Sequence, residues 1–146
     1  MLILVAADDL TSLEFVEPAL RDLGHTCITA AAGDQAWEAF QTGRPDVVIT
    51  DWLMPGMTGL ELCRKIRAHP ARYTYVIMVT GHSSRDQMFE AMSAGADDYL
   101  VKPLDADDLE LRLIAAARVT SLHRQLAHQR IKLVSAARRE AVIRGS

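Results

Sequence analysis

The stretch that most constrains this chain of 146 residues is 46–56, where a short apolar run lies between two acids and a Pro-Gly turn follows. The run at residues 47–49 is β-branched, which favours a fully buried strand. Pro55 and Gly56 cannot continue a strand, so the chain turns there. Asp51 is therefore placed where a buried strand enters a loop. Packing explains such a carboxylate poorly, because Asp is rarely buried without a partner.

The same strand signal recurs four more times, each time followed by a helical pattern. Apolar runs predict the other strands at residues 2–7, 25–31, 75–80 and 98–101. Five β-α units predict a doubly wound α/β fold, with helices on both faces of a parallel sheet. The flavodoxin-like strand order 2-1-3-4-5 is common for five strands, and its ligands bind where strands one and three end.

Polar residues before the helical patterns predict where the helices begin. Thr11 or Ser12 is expected to cap the first helix. Thr58 and Glu61 form a capping box for the third helix, and Asp105 is expected to cap the fifth. No Gly or Pro occurs between Asp105 and residue 144, so the fifth helix is expected to extend well past the domain.

Charge is distributed unevenly along the chain. Residues 1–117 carry nine basic and 18 acidic groups, whereas residues 118–146 carry seven basic groups and one acidic group. An acidic domain argues against nucleic-acid binding by its own surface. No apolar run approaches the roughly 20 residues that span a bilayer, and no secretory signal is evident. Two cysteines without metal spacing fit a reducing compartment, so we expect a cytoplasmic protein with no membrane partner.

The sequence predicts a domain at residues 1–118 and a helical extension at residues 119–146. The extension contains a partial heptad seam, interrupted by polar residues. Its apolar members are Val119, Leu122, Leu126 and Leu133. Such a seam is typical of a coiled coil that leads to an output domain absent from this chain. A frayed tail without a partner is the alternative interpretation.

Side chains from four strand ends are expected to converge at the carboxyl edge of the sheet. They are Asp8, Asp9, Asp51, Thr80 and Lys102. Three adjacent carboxylates repel one another, and a hard divalent cation relieves that repulsion. Mg²⁺ prefers a few carboxylates, waters and phosphate oxygens, and no His or Cys stands at these strand ends to favour zinc. The cluster predicts Mg²⁺-dependent phosphoryl transfer to Asp51, with Lys102 and Thr80 contacting the phosphoryl oxygens.

Taken together, these motifs resemble the receiver domain of two-component response regulators over about residues 2–118. The resemblance rests on Asp8-Asp9, on Asp51 followed by Met54-Pro55-Gly56, on Thr80, and on Lys102-Pro103. It implies that a histidine kinase or phosphotransfer protein donates a phosphoryl group from phosphohistidine to Asp51. It also implies a signalling switch and not a turnover enzyme.

The resemblance further implies how the metal is held. Asp9 and Asp51 would bind Mg²⁺ directly, together with the main-chain carbonyl of Leu53, and Asp8 would bind it largely through water.

The resemblance also implies a conformational switch. The peptide bond before Pro103 is expected to be cis, since X-Pro is the only setting where cis is cheap. Thr80 is expected to shift toward the phosphoryl group while Tyr99 turns inward. Signalling is expected through the face formed by helix four, strand five and helix five. This face and the heptad seam also allow a second copy of the chain to bind, which would form a homodimer through helix five and its extension.

Leu53 departs from the family pattern, because many members have a polar residue two positions after the phosphoacceptor. We hypothesise that Leu53 slows loss of the phosphoryl group by hindering the hydrolytic water. His82 is a titratable group near the same path, although a plain surface loop residue is the simpler interpretation.

Three other functions compete with this interpretation. A phosphorylation-independent adaptor of the same fold usually lacks an acid or the Lys, and none is missing here. A hydrolase of the haloacid dehalogenase type usually needs a second Asp where this chain has Leu53. A flavin or dinucleotide domain would need a Gly- or Ser-rich loop where Asp8-Asp9 stands.

Overall fold

The computed structural model describes residues 1–69 and 72–145, and leaves Pro70, Ala71 and Ser146 outside the described residues. Five strands alternate with five helices along the chain. They are β1 Leu2–Ala6, α1 Leu10–Asp22, β2 Thr26–Ala30, α2 Gly33–Gly43, β3 Val47–Asp51, α3 Gly59–Ala68, β4 Tyr75–Thr80, α4 Arg85–Ser93, β5 Asp98–Val101 and α5 Ala106–Gly145. All neighbouring strands are parallel and lie in the order β2-β1-β3-β4-β5. The predicted fold class and strand order are confirmed.

The sheet is covered by helices on both faces, which explains why its central strands are mostly apolar. Every residue of β3 and β4 is buried. Successive side chains of a strand point to opposite faces. Val48 therefore packs with the residues of α2, α3 and α4, while Val47 and Ile49 pack with those of α1 and α5. Because β3 is buried on both faces, its functional group comes at its end, where Asp51 is the last residue.

The first helix begins earlier than the sequence pattern indicates. Asp9 is its N-cap, and the Asp9 carboxylate accepts a hydrogen bond of 2.9 Å from the Ser12 amide. The prediction of Thr11 or Ser12 as the cap was wrong, because Asp9 already satisfies the exposed amide of the first turn. The expected Thr58 cap of α3 is present, since its hydroxyl accepts from the amide of Glu61 at 3.2 Å.

Helix α5 belongs to the domain for its first four turns and leaves it afterwards. Leu109, Leu113, Ala116 and Thr120 are buried, and every described residue of the helix beyond Thr120 is exposed. Arg124 forms an ion pair with Asp46 at the start of β3. The ring of His123 stacks on Tyr73 at 3.9 Å between centroids. The predicted division at residue 118 stays a prediction. No described helix is long and apolar enough to cross a membrane.

We expect Gly59→Ala to destabilise the domain, because α3 approaches the end of β3 closely at that point. A Cβ at residue 59 would lie 2.2 Å from the main-chain oxygen of Asp51. Overpacking of this kind typically costs about 1–3 kcal/mol, which urea denaturation would measure. Gly81→Ala is the control, because an added Cβ there meets nothing within 4 Å. An equal loss of stability in both variants would contradict this packing argument.

Candidate acidic site at the carboxyl edge of the sheet

Three carboxylates converge where β1 and β3 end. Asp8 and Asp9 follow β1, and Asp51 is the last residue of β3. One oxygen of each lies within 4.8 Å of the other two. They line an open cavity of about 280 Å³ that Thr80 and Lys102 also line. The structure therefore brings the five predicted side chains to one place.

Lys102 is the cation of this cluster. Its Nζ lies 3.2 Å from Asp9 Oδ1 and 3.2 Å from Asp51 Oδ1. Its amide donates to the main-chain oxygen of Thr80 at 2.8 Å, and the peptide bond between Lys102 and Pro103 is cis. The ammonium group thus bridges two strand ends, and its partners raise the pKa of Lys102 despite the opposing effect of burial.

The two acids that contact Lys102 have pKa values shifted in opposite directions. Burial raises the pKa of Asp51 to about 6; the Lys102 charge opposes this rise and the neighbouring Asp9 reinforces it. Burial alone would also raise the pKa of Asp9, but hydrogen bonds from Ser12 and Lys102 outweigh it and lower that pKa below its usual range. The surroundings of the two acids thus shift their pKa values in opposite directions.

This donor set fits a hard divalent cation. Three carboxylates beside one ammonium leave an excess of negative charge when all are ionised. Carboxylate oxygens at an open, water-accessible cavity are the ligands that Mg²⁺ prefers. A divalent cation would also offset the cost of ionising buried Asp51. Asp9, Asp51 and Asp8 are the side chains that would hold it.

The loop after β3 is fixed at both ends, which keeps Asp51 in place. The Trp52 amide donates to Val79 in β4 at 2.9 Å, and the Gly33 amide donates to Pro55 at 3.0 Å. Gly56 adopts a positive φ of 80°, a conformation in which glycine is unstrained. Leu53 lines the cavity within this loop, and it is 74% exposed.

Thr80 and Tyr99 are linked through the backbone of His82. Thr80 ends β4 and is buried, and its hydroxyl accepts a hydrogen bond of 3.3 Å from the His82 amide. The hydroxyl of Tyr99, which is also buried, donates to the His82 carbonyl at 2.8 Å. A movement of Thr80 would therefore alter the loop that holds Tyr99.

Sequence reasoning missed two features of this site. Asp9 caps α1 as well as facing the cluster, and the preference of helix N-caps for Asp was the signal that could have revealed it. The bridging role of His82 lies in its main-chain groups, so its side-chain type carried no signal. The remaining expected residues lie at or beside the cavity.

Comparisons with known proteins agree with this geometry. The profile of the response regulator receiver domain matches residues 3–114. The chain is 40% identical to the chemotaxis protein CheY of Pseudomonas aeruginosa over 115 residues, covering 77% of this chain and 93% of that protein. It is 32% identical over 119 residues to the phosphate regulon transcriptional regulatory protein PhoB of the same organism, covering 81% of this chain and 52% of PhoB.

Solved structures show the same relationship. The receiver domain of the Francisella response regulator 1452 is similar with a TM-score of 0.76 and 30% identity, covering 82% of this chain and 98% of that one. The chemotaxis response regulator CheY4 of Vibrio cholerae has a TM-score of 0.74 and 32% identity, covering 79% of this chain and 97% of that one. On its sequence, its fold and the residues at its sheet edge, this chain belongs to the family of response regulator receiver domains.

Proposed function

We propose that this domain is a phosphorylation-activated signalling switch in which Asp51 receives a phosphoryl group from a phosphohistidine of a histidine kinase or phosphotransfer protein. The observation that carries the proposal is the buried Asp51 carboxylate at an open cavity, held between Lys102 and two further acids. Packing alone gives no reason to keep that much charge together. In this role the domain is a cytoplasmic switch and not a turnover enzyme.

The chemistry requires one nucleophile and charge neutralisation. A carboxylate oxygen of Asp51 attacks phosphorus and forms an acyl phosphate, while the bond from phosphorus to the donor imidazole breaks and the imidazole nitrogen regains its electron pair. Lys102 already contacts Asp51, and its ammonium group would then pair with the negatively charged phosphoryl oxygens. The hydroxyl of Thr80 donates to one of those oxygens. Bound Mg²⁺ supplies further neutralisation of the phosphoryl charge.

The metal would be held by Asp9 and Asp51 directly, by the main-chain carbonyl of Leu53, and by Asp8 largely through water. The support for this set is the close approach of the three carboxylates and the position of Leu53 on the wall of the same cavity. Capping of α1 by Asp9 orients that carboxylate, which reduces the cost of bringing it to the ion.

Activation would begin at Thr80. A shift of its hydroxyl toward the phosphoryl group removes the acceptor of the His82 amide, and the inward position of Tyr99 depends on the carbonyl of that same residue. Tyr99 is already buried in this structure, so a shift of Thr80 would change how firmly Tyr99 is held inward. The hydrogen bond from the Lys102 amide to the main-chain oxygen of Thr80 keeps Lys102 next to Thr80.

Two apolar surfaces fit the partners that the switch needs. A groove of about 420 Å³ beside Lys102 is lined by Phe15 of α1 and by Leu104, which suits a docked phosphodonor. The face made by α4, β5 and α5 suits the output partner, because large apolar side chains are exposed there. They are Met88, Phe89, Met92, Val101, Leu111 and Ile114. A second copy that pairs through α5 and its extension is the partner we propose for this face.

The phosphoacceptor can be tested with a small donor. On incubation with acetyl phosphate and Mg²⁺, the wild-type chain should gain the mass of one phosphoryl group, since the site assists its own phosphorylation. Asp51→Asn should gain none, while the exposed Asp22→Asn should behave as wild type. Intact-protein mass spectrometry measures all three. Absence of any gain on wild type would favour a phosphorylation-independent adaptor of the same fold.

The charge conflict at the site should appear as a pH-dependent stability. Because the pKa of Asp51 is raised to about 6 from 3.8, the folded state binds that proton more tightly than the unfolded state. Its stabilising contribution is present below pH 3.8 and is lost as the pH rises through 6. In EDTA, the free energy of unfolding of Asp51→Asn should therefore rise relative to that of wild type by up to roughly 3 kcal/mol between pH 4 and pH 8.

Urea denaturation across that pH range, repeated with Mg²⁺, measures this difference. Mg²⁺ should stabilise the wild type at pH 8 and shrink the advantage of Asp51→Asn, because the ion offsets the repulsion. A difference between the two proteins that is the same at every pH and insensitive to Mg²⁺ would contradict a destabilising charge on Asp51.

The rate of phosphoryl loss should depend on Leu53. Replacing this exposed apolar side chain by Asn removes a barrier to water and offers it a hydrogen bond, so the acyl phosphate of Leu53→Asn should decay several-fold faster. The measurement is the decay of the phosphorylated mass after removal of donor. Val142→Asn, which changes an exposed apolar residue near the end of α5, is the control. Equal decay in Leu53→Asn and wild type would refute the hypothesis.

A further inference from the structure

An apolar stripe runs along the outer side of α5 from the domain into the extension. It is formed by Leu111, Ala115, Leu122, Leu126 and Leu133, at successive spacings of four, seven, four and seven. The leucines are between 58% and 71% exposed. The stripe lies on a different side of α5 from Leu109, Leu113 and Ala116, which pack on the sheet. Leu126 also borders an open cavity beside Arg72 and Tyr73, and the leucines stay exposed.

Beyond Thr120, the described residues of α5 are all exposed. Most helical stability in proteins comes from packing of an apolar face, and an isolated helix is marginal in water. Within the described part of the chain, the ring stacking and ion pairing that join the helix beyond Thr120 to the domain come from His123 and Arg124, near the point where the helix leaves the domain. The remaining part of the extension, about 20 residues with exposed leucines, would therefore be stabilised by packing against a partner.

The charge of α5 changes sign along its length. Residues 106–117 contain three acids, Asp107, Asp108 and Glu110, and one base, so their net charge is −2. Residues 118–145 contain seven bases and one acid, so their net charge is +6. The domain beside the first segment is itself acidic, with a balance of −9 over residues 1–117. One end of this helix therefore complements the other end of an identical helix.

We propose that two copies of this chain pair through α5 in an antiparallel orientation, with the apolar stripes in contact and each basic extension against the acidic first turns of the other copy's helix. Such a contact is isologous and closes as a two-fold dimer. The proposal rests on the proposed pairing through α5 but not on phosphoryl transfer, since every group it uses lies away from Asp51. If the dimer is disproved, phosphoryl transfer to Asp51 is unaffected, and if phosphoryl transfer is disproved, the dimer is unaffected.

A parallel pairing is disfavoured by the same charges. In register, it would place the two +6 segments side by side. With Leu126 and Leu133 at the seam, most of the flanking positions that pair between parallel helices are basic. The basic residues there are Arg130, Lys132, Arg139 and Arg144. Arg139 of one copy would then face Arg144 of the other. The antiparallel orientation replaces this repulsion with attraction along most of the helix.

Analytical ultracentrifugation of the unphosphorylated chain tests the pairing. A dimer should form at micromolar to tens of micromolar protein and should weaken as NaCl rises from 0.1 to 0.5 M, since salt screens attraction between exposed charges. Leu133→Ala should weaken it further, whereas Val142→Ala, equally exposed but outside the stripe, should not. A monomer at 0.2 mM protein, or a dimer that tightens with salt, would overturn the proposal.

Charge reversal discriminates the two orientations. R138E/R139E should raise the dimer dissociation constant about fivefold or more if the helices are antiparallel, because each reversal replaces an attraction with a repulsion. The same change should tighten a parallel dimer. Adding Glu110→Lys to R138E/R139E should restore part of the lost affinity. Tightening by R138E/R139E alone would overturn the antiparallel arrangement.

Distances between spin labels give a direct readout. A label at Arg144→Cys, in a Cys27→Ser background that leaves only buried Cys63, should lie more than about 50 Å from its symmetry mate when the helices are antiparallel, given a rise of about 1.5 Å per residue. Parallel helices would bring the labels to within roughly 20 Å. Far-ultraviolet circular dichroism of each variant confirms that the exposed substitutions leave the fold intact.

Discussion

The contact of Lys102 with Asp9 and Asp51 is the interaction on which the rest of the site depends. It joins the ends of β1, β3 and β5, and it is the charge that makes a buried Asp51 tolerable. Burial nevertheless raises the pKa of Asp51 to about 6, because it outweighs the opposing effect of Lys102 and is reinforced by Asp9. The site therefore carries an excess of negative charge when its acids are ionised. A divalent cation such as Mg²⁺ would offset this charge and would also neutralise the negative charge that a phosphoryl group brings.

The parallel sheet explains how such a site is assembled. Strands β1, β3 and β4 are buried on both faces, so they consist almost entirely of apolar residues. The functional polar groups lie at or just after the carboxyl end of each strand. Strand order then places the end of β1 beside that of β3. Residues such as Asp9 and Lys102, 93 positions apart, meet because the fold brings every carboxyl end to one edge.

Much of this arrangement could be predicted from the sequence, because it depends on periodicity and on residue type. The apolar run before Asp51 and the β-α alternation were sufficient for the sheet order, and the acids and Lys102 stood at the expected strand ends. The cap at Asp9 was missed because the same carboxylate both caps α1 and contacts Lys102 in the acidic cluster. The link from Thr80 to Tyr99 runs through main-chain groups of His82, and no side-chain pattern reports such a link. The roles of Leu53 and of the extension depend on groups outside this chain, namely a hydrolytic water and a partner.

The central claim is that Asp51, and not one of its acidic neighbours, carries the phosphoryl group. Borohydride reduces an acyl phosphate of Asp to homoserine, which marks the modified residue permanently. After incubation with acetyl phosphate and Mg²⁺, reduction and peptide mapping by tandem mass spectrometry, homoserine should appear at residue 51 alone. Homoserine at residue 8 or residue 9, or at no position, would contradict the account.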